Sequence, residues 1–258
     1  MELNNKTVIV TGAGSGIGRV IALELAGRGA NVVCAARREH NIKETVSLIE
    51  AQGGSALAVA TDITQYKQVQ MMVDTAIGKF GQVDVLINNA GSFMALGAVW
   101  ETDIDQWMQD ISVNLTGTYL CSRAVLQHMI QRNQGIIITM RGGCMIPGGT
   151  GYSCSKVAIP RFTELLAMEL KQESSNVICF SMAPGFVHTD MTDYQITEPM
   201  GLKWLPSSKD AIDQGQDRPP QDCAVTTAEL IEMACSQMNG GQYSAGEDMQ
   251  ALQKSFTA

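Results

Sequence analysis

The chain has 258 residues, 45% hydrophobic and 17% charged, which is enough apolar material for a sizeable core and within reach of one undivided α/β domain. A formal net charge of −8 argues against a general affinity for nucleic acid, and no run approaches the ~20 uninterrupted apolar residues of a membrane span. Seven scattered cysteines without a C-x-x-C pair read as free thiols of a reducing cytoplasm, and three dispersed histidines suggest no metal cage.

The N-terminus lacks the basic-then-apolar order of a secretion signal and runs straight into an apolar β-branched strand at 6–10. A glycine-rich turn follows, then a helix from Ile17 to Arg28 with apolar residues at helical spacing, closing at Gly29. The next strands fall at 32–35, 56–60 and 83–87, separated by helices at 39–51 and 65–79. A long helical region covers 101–132, a strand 135–139, a helix 151–172 and a strand 176–180. Short, continuously apolar strands between helices predict a doubly wound parallel sheet of the Rossmann type, an α/β fold in one domain over 1–258. From about 188 to 219 the periodicity stops. Such a stretch reads as an irregular insert, a candidate substrate lid carrying Met191, Tyr194, Met200, Trp204 and Leu205. A helix over 221–238 and a short tail end the chain.

Two motifs carry chemistry. Gly12, Gly16 and Gly18 stand between a strand and a helix, where absent side chains let backbone approach a pyrophosphate at a helix N-terminus. Their spacing is G-x-x-x-G-x-G. Farther on, Tyr152 and Lys156 lie four residues apart, hence on one helical face. A phenol of ordinary pKa ~10 is poorly matched to proton transfer at neutral pH, and a neighbouring ammonium favours the phenolate. Together the motifs predict a nucleotide-dependent oxidoreductase in which Tyr152 moves the proton.

Thr11 to Gly18, Asp62 after the third strand, Asn88 to Gly91 after the fourth, Asn114, Tyr152 with Lys156, and Pro184-Gly185 before Thr189 together resemble the short-chain dehydrogenases/reductases of the single-domain kind. The resemblance covers nearly the whole chain. It implies that Ser15, Ile17 and the glycines line the pyrophosphate, Asp62 and Ile63 the adenine, and Asn89, Ala90 and Gly91 the adenosine ribose and nearby backbone. It further implies that Val187 and Thr189 touch the carboxamide, that Lys156 also holds the nicotinamide ribose, and that Asn114 helps organise a water. Where NAD-preferring members carry an acid this chain has Ala36, followed by Arg37 and Arg38, which favours NADP(H) over NAD(H) through charge complementarity to a 2′-phosphate. Assembly into a homodimer or homotetramer through the helices at 101–132 and 151–172 is also implied.

One departure stands out. The family's carbonyl-binding serine has no counterpart, since no serine lies between 123 and 152. Thr139, Arg141, a backbone N–H, or nothing takes its place. The leading expectation is therefore hydride transfer between nicotinamide and a small ketone or secondary alcohol. The alternative is a catalytically weakened NADP(H)-binding sensor or scaffold.

Overall fold

The computed structural model describes residues 1–257 and contains one seven-stranded sheet, all of whose pairs are parallel, in the order β3-β2-β1-β4-β5-β6-β7. The strands are β1 (Thr7–Thr11), β2 (Asn31–Ala36), β3 (Ser55–Ala60), β4 (Val85–Asn88), β5 (Gly135–Met140), β6 (Val177–Ala183) and β7 (Gln242–Ser244). Between them run α1 (Gly16–Gly27), α2 (Glu39–Ala51), α3 (Tyr66–Phe80), α4 (Ile104–Ile111), α5 (Thr118–Arg132) and α6 (Thr150–Gln172). The chain order reverses between β1 and β4, so the carboxyl ends of these central strands open the crevice expected of a doubly wound sheet.

Each face of the sheet buries its own core. Val8, Val10, Ile138 and Met140 pack with Ile21, Leu25 and Leu230, whereas Ile9, Leu86 and Ile137 pack with Met72, Val125 and Leu170. Central strands β1, β4 and β5 are buried at nearly every position, which is why they read as unbroken apolar runs.

Three expectations need correction. Residues 101–132 are not one α-helix: a π-helical turn at Ser112–Gly117 joins α4 to α5. The segment expected to be irregular is helical, forming α7 (Asp190–Thr197), α8 (Pro199–Trp204) and α9 (Pro206–Asp213). Thr189 caps α7 through a reciprocal box with Thr192, and Pro199 and Pro206 begin the other two. Helices of six to eight residues are too short to show a period, and proline masks their starts. The last long helix, α10, ends earlier than expected (Pro220–Met233), and α11 (Met249–Thr257) follows β7.

Candidate active site

The glycine turn after β1 is built by close backbone packing. Thr11 ends β1 and its hydroxyl donates to the Ile87 carbonyl while accepting from the N–H groups of Asn89 and Ala90, each at 3.0 Å. The Asn89 amide donates back to the Thr11 carbonyl at 2.9 Å, and so braces the glycine loop. A side chain at Gly18 would lie 2.3 Å from the Gly12 carbonyl, and one at Gly12 would lie 2.9 Å from the Ala90 Cα with φ at +70°. Those two glycines let β1, α1 and the end of β4 meet at one point.

Around that point opens a cleft of about 960 Å³. Its wall includes Gly12, Ser15, Gly16, Ile17, Gly18, Arg37, Asp62, Ile63, Asn89, Ala90, Gly91 and Thr189, all expected from the sequence to touch cofactor. The Ser15 side chain makes no cap bond to α1, and no acid occupies the first helical turn, so the helix N-terminus presents N–H groups to the cleft. This cradle fits a dinucleotide pyrophosphate. Arg37 and Arg38 are exposed at the rim, where Arg38 lies 3.8 Å from Asp190 of α7. Val187 is buried and does not line the cleft; its carbonyl accepts from Thr192 at the capping box.

Asn114 sits in the π-helical turn, which turns its amide inward. Its Nδ2 donates to the Ser92 carbonyl at 2.8 Å and to Ser155 Oγ at 2.9 Å, and its Oδ1 accepts from the Ser92 N–H. Lys156 Nζ donates to the Met140 carbonyl at 2.9 Å. A Cβ at Gly91 would lie 3.3 Å from Asn114 Oδ1 and 3.8 Å from Lys156 Nζ, so the two groups flank the backbone of the cleft floor.

Tyr152 and Lys156 share a face of α6, and the ammonium lies 5.7 Å from the centre of the phenol ring. The expected lowering of the phenol's pKa is not realised in this arrangement. Burial, with a smaller contribution from the Asp110 carboxylate, pushes Tyr152 up to about 12, while burial lowers Lys156 to about 8. The reason is local: the phenol is boxed in by apolar atoms and glycine backbone, and the ammonium turns to a carbonyl. Neither side chain lines the cleft; Phe93, which does, is stacked over Tyr152.

Asp110 is the residue that sequence reasoning missed. Fully buried on α4, it accepts from Ser92 Oγ at 2.6 Å, the Met94 N–H at 2.9 Å and the Ala95 N–H at 3.1 Å. It thus fixes the loop that carries Phe93. Only the presence of an acid within an otherwise ordinary amphipathic helix hinted at it.

The serine question narrows. Thr139 pairs with Asn88 and Ser181 inside the sheet, and its hydroxyl meets Thr163 Oγ1 of α6 at 2.7 Å. It is buried and absent from the cleft wall, with its hydroxyl engaged by Thr163. Arg141 turns to β7, donating to Ser244 Oγ at 3.1 Å and to the Tyr243 carbonyl at 3.3 Å. Gly142 instead lies at the phenol, where an added Cβ would come 2.3 Å from Tyr152 Oη.

Residues 6–199 match the family of short chain dehydrogenases. The chain belongs to that family. A short chain dehydrogenase of Pseudocercospora fijiensis is 34% identical, over 96% of this chain and 82% of its own length. Among solved structures, a variant of actinorhodin polyketide ketoreductase with NADPH superposes with a TM-score of 0.84 at 27% identity, covering 93% of this chain and 95% of that one. A short chain dehydrogenase/reductase from Burkholderia phymatum in complex with NAD gives 0.83 at 27% identity, covering 98% and 93%. This chain of the short-chain dehydrogenase family is a nicotinamide-dependent oxidoreductase. No helix among its described residues is long and apolar enough to cross a membrane.

Proposed function

We propose that the enzyme interconverts a ketone and a secondary alcohol with NADP(H) as the preferred cofactor, Tyr152 donating or accepting the proton. The carrying observation is that Tyr152 and Lys156 share a face of α6 and that Lys156 and Asn114 flank Gly91, in the wall of a cleft whose other end is a glycine-lined helix N-terminus. The nicotinamide, when bound, supplies or takes up the hydride at the substrate carbon. Ser15, Ile17 and Gly16 hold the pyrophosphate, Asp62 and Ile63 face the adenine, and Thr189, whose capping-box partner Thr192 bonds the buried Val187 carbonyl, flanks the carboxamide. Lys156 exchanges its bond to the Met140 carbonyl for the ribose hydroxyls, and its charge then favours loss of the Tyr152 proton. Asn114 steadies the turn beside it.

With Thr139 and Arg141 committed elsewhere, polarisation of the carbonyl falls to backbone. Gly142 adjoins the phenol oxygen, and its N–H has no protein acceptor among the described residues. It takes the place of the family's serine hydroxyl as a donor aimed at the developing oxyanion.

The preference for NADP(H) rests on Arg37, which is exposed on the cleft rim without a carboxylate partner among the described residues. A planar guanidinium there matches a 2′-phosphate. Assembly as a dimer or tetramer is supported by an apolar stripe on α6, where Val157, Leu165 and Met168 are exposed at helical spacing, and by Tyr119 on α5. The helices α7 to α9 serve as the lid, and the reduced cysteines fit a cytoplasmic enzyme.

The test is NADPH and NADH oxidation with a panel of ketones by wild type and Arg37→Ala. The expected result is turnover with a higher kcat/KM for NADPH, falling about tenfold in the variant with NADH unaffected, in line with one charge-assisted contact. A clear NADH preference in wild type would reverse the cofactor assignment.

A further inference from the structure

The ring of Phe93 lies flat on Tyr152, with centroids 4.3 Å apart and planes inclined by 7°. Phe93 is only 3% exposed, yet it belongs to the cleft wall while Tyr152 does not. It therefore covers one face of the Tyr152 ring toward the cleft, while Tyr152 itself keeps partial exposure elsewhere. Its surroundings are apolar: Leu96, Leu205, Met191, Trp204 and Ile146 form one cluster with the two rings.

The far side of this cluster is glycine backbone. An added Cβ at Gly149 would lie 2.4 Å from Phe93 Cζ, one at Gly148 would lie 2.4 Å from the Trp204 Cβ, and one at Gly142 would meet Tyr152 Oη. Side chains are thus excluded from the β5–α6 loop at each place where an aromatic ring or its stem presses on it. The result is a slot one ring thick, bounded by a phenol face and by flat peptide.

We propose that Phe93 is a built-in plug occupying the substrate's own site, and that the ligand which displaces it is a ketone conjugated to a planar aromatic ring. This plug presupposes Tyr152 as the proton donor. A substrate ring entering from the cleft lies flat on the phenol only when the Phe93 ring swings out, which forfeits the stacked contact with Tyr152. A flat aromatic ring entering the same space restores that contact, because offset parallel rings at this separation attract beyond their buried area. A puckered aliphatic ring of the same carbon count is too thick for the slot and restores nothing.

The experiment compares acetophenone with cyclohexyl methyl ketone, which share a skeleton but differ in planarity. Calorimetric binding to the enzyme with NADP+ decides the plug, and NADPH oxidation decides the underlying reading. Acetophenone should bind about tenfold more tightly than its saturated analogue. In Phe93→Ala and in the volume-keeping Phe93→Leu, both ketones should bind about two- to tenfold more tightly, since no stacked ring pair is lost on entry. The leucine variant guards against a folding failure of the alanine one. Equal affinities of wild type for the two ketones, or weaker acetophenone binding in the Phe93 variants, overturns the plug, whatever the turnover. Discrimination in binding without oxidation of NADPH by either ketone upholds the slot and overturns the assigned reaction.

Discussion

The two ends of the crevice solve opposite problems. At the glycine-turn end, glycines leave the crevice open: Gly12 and Gly18 draw the backbones together, and α1 presents its N-terminus to the cleft. At the substrate end, glycines admit the protein's own rings, and Phe93, Tyr152 and Trp204 fill the space that Gly142, Gly148 and Gly149 leave free. The same residue type serves binding in one place and closure in the other. What decides between them is the partner pressed against the missing side chain, a backbone carbonyl in the first case and an aromatic ring in the second.

This contrast breaks most sharply at Gly142. Restoring the family's hydroxyl with Gly142→Ser should lower kcat about 10²-fold, because a Cβ 2.3 Å from Tyr152 Oη must displace the phenol, and misplacements of that order cost about this much. Stopped assays with saturating NADPH and ketone measure it. A faster enzyme would mean that the phenol has room to spare and that the missing serine is a simple loss.

Next in size is Asp110, which fixes the plug loop. Asp110→Ala leaves the Ser92 hydroxyl and the Met94 and Ala95 N–H groups without their acceptor, at about 1–3 kcal/mol for each group that stays buried. The urea midpoint should fall accordingly. Cofactor affinity, set at the other end of the crevice, should change little. A variant of unchanged midpoint would show that the 92–95 loop is held by packing alone.

The smallest effect is electrostatic. Burial lowers Lys156 from 10.5 to about 8, so between these pH values the unfolded chain holds a proton that the folded chain has released. Stability from this group therefore rises with pH across that window. The buried thiols Cys34, Cys121, Cys179 and Cys223, raised from 9.0 to about 12, act in the opposite sense above pH 9. The wild-type stability curve minus that of Lys156→Met isolates the lysine, and this difference should climb from pH 8 to 10.5. A flat difference would place the ammonium in a more polar setting than its bond to the Met140 carbonyl provides.

Much of the nucleotide end was legible in the chain because its devices are local. A strand, a glycine turn and a helix N-terminus follow one another within Thr7–Gly27, and β-branched runs mark strands buried on both faces. The spacing of Tyr152 and Lys156 also placed them on one face of α6, as expected. The substrate end was less legible because its determinants are distant in sequence. Phe93 meets Tyr152 across 59 positions, and Asp110 acts on a loop 15 to 18 residues before it. No period or motif announces such contacts. Thr139 was a reasonable candidate by position, yet strand alternation directs its hydroxyl to Thr163. The three helices α7 to α9 escaped detection because each is too short to show a repeat. The apolar residues singled out there do gather: Met191, Tyr194, Met200, Trp204 and Leu205 join Phe93 and Tyr152 in one cluster.

The central claim is that the Tyr152 hydroxyl handles the proton while the cleft holds the nicotinamide. Tyr152→Phe, assayed for NADPH oxidation with acetophenone and for NADPH binding by fluorescence, tests it directly. The expected result is a fall in kcat of about 10²–10⁴-fold, the usual worth of a positioned general acid, with cofactor affinity retained. Reduction at the wild-type rate by the phenylalanine enzyme would contradict it.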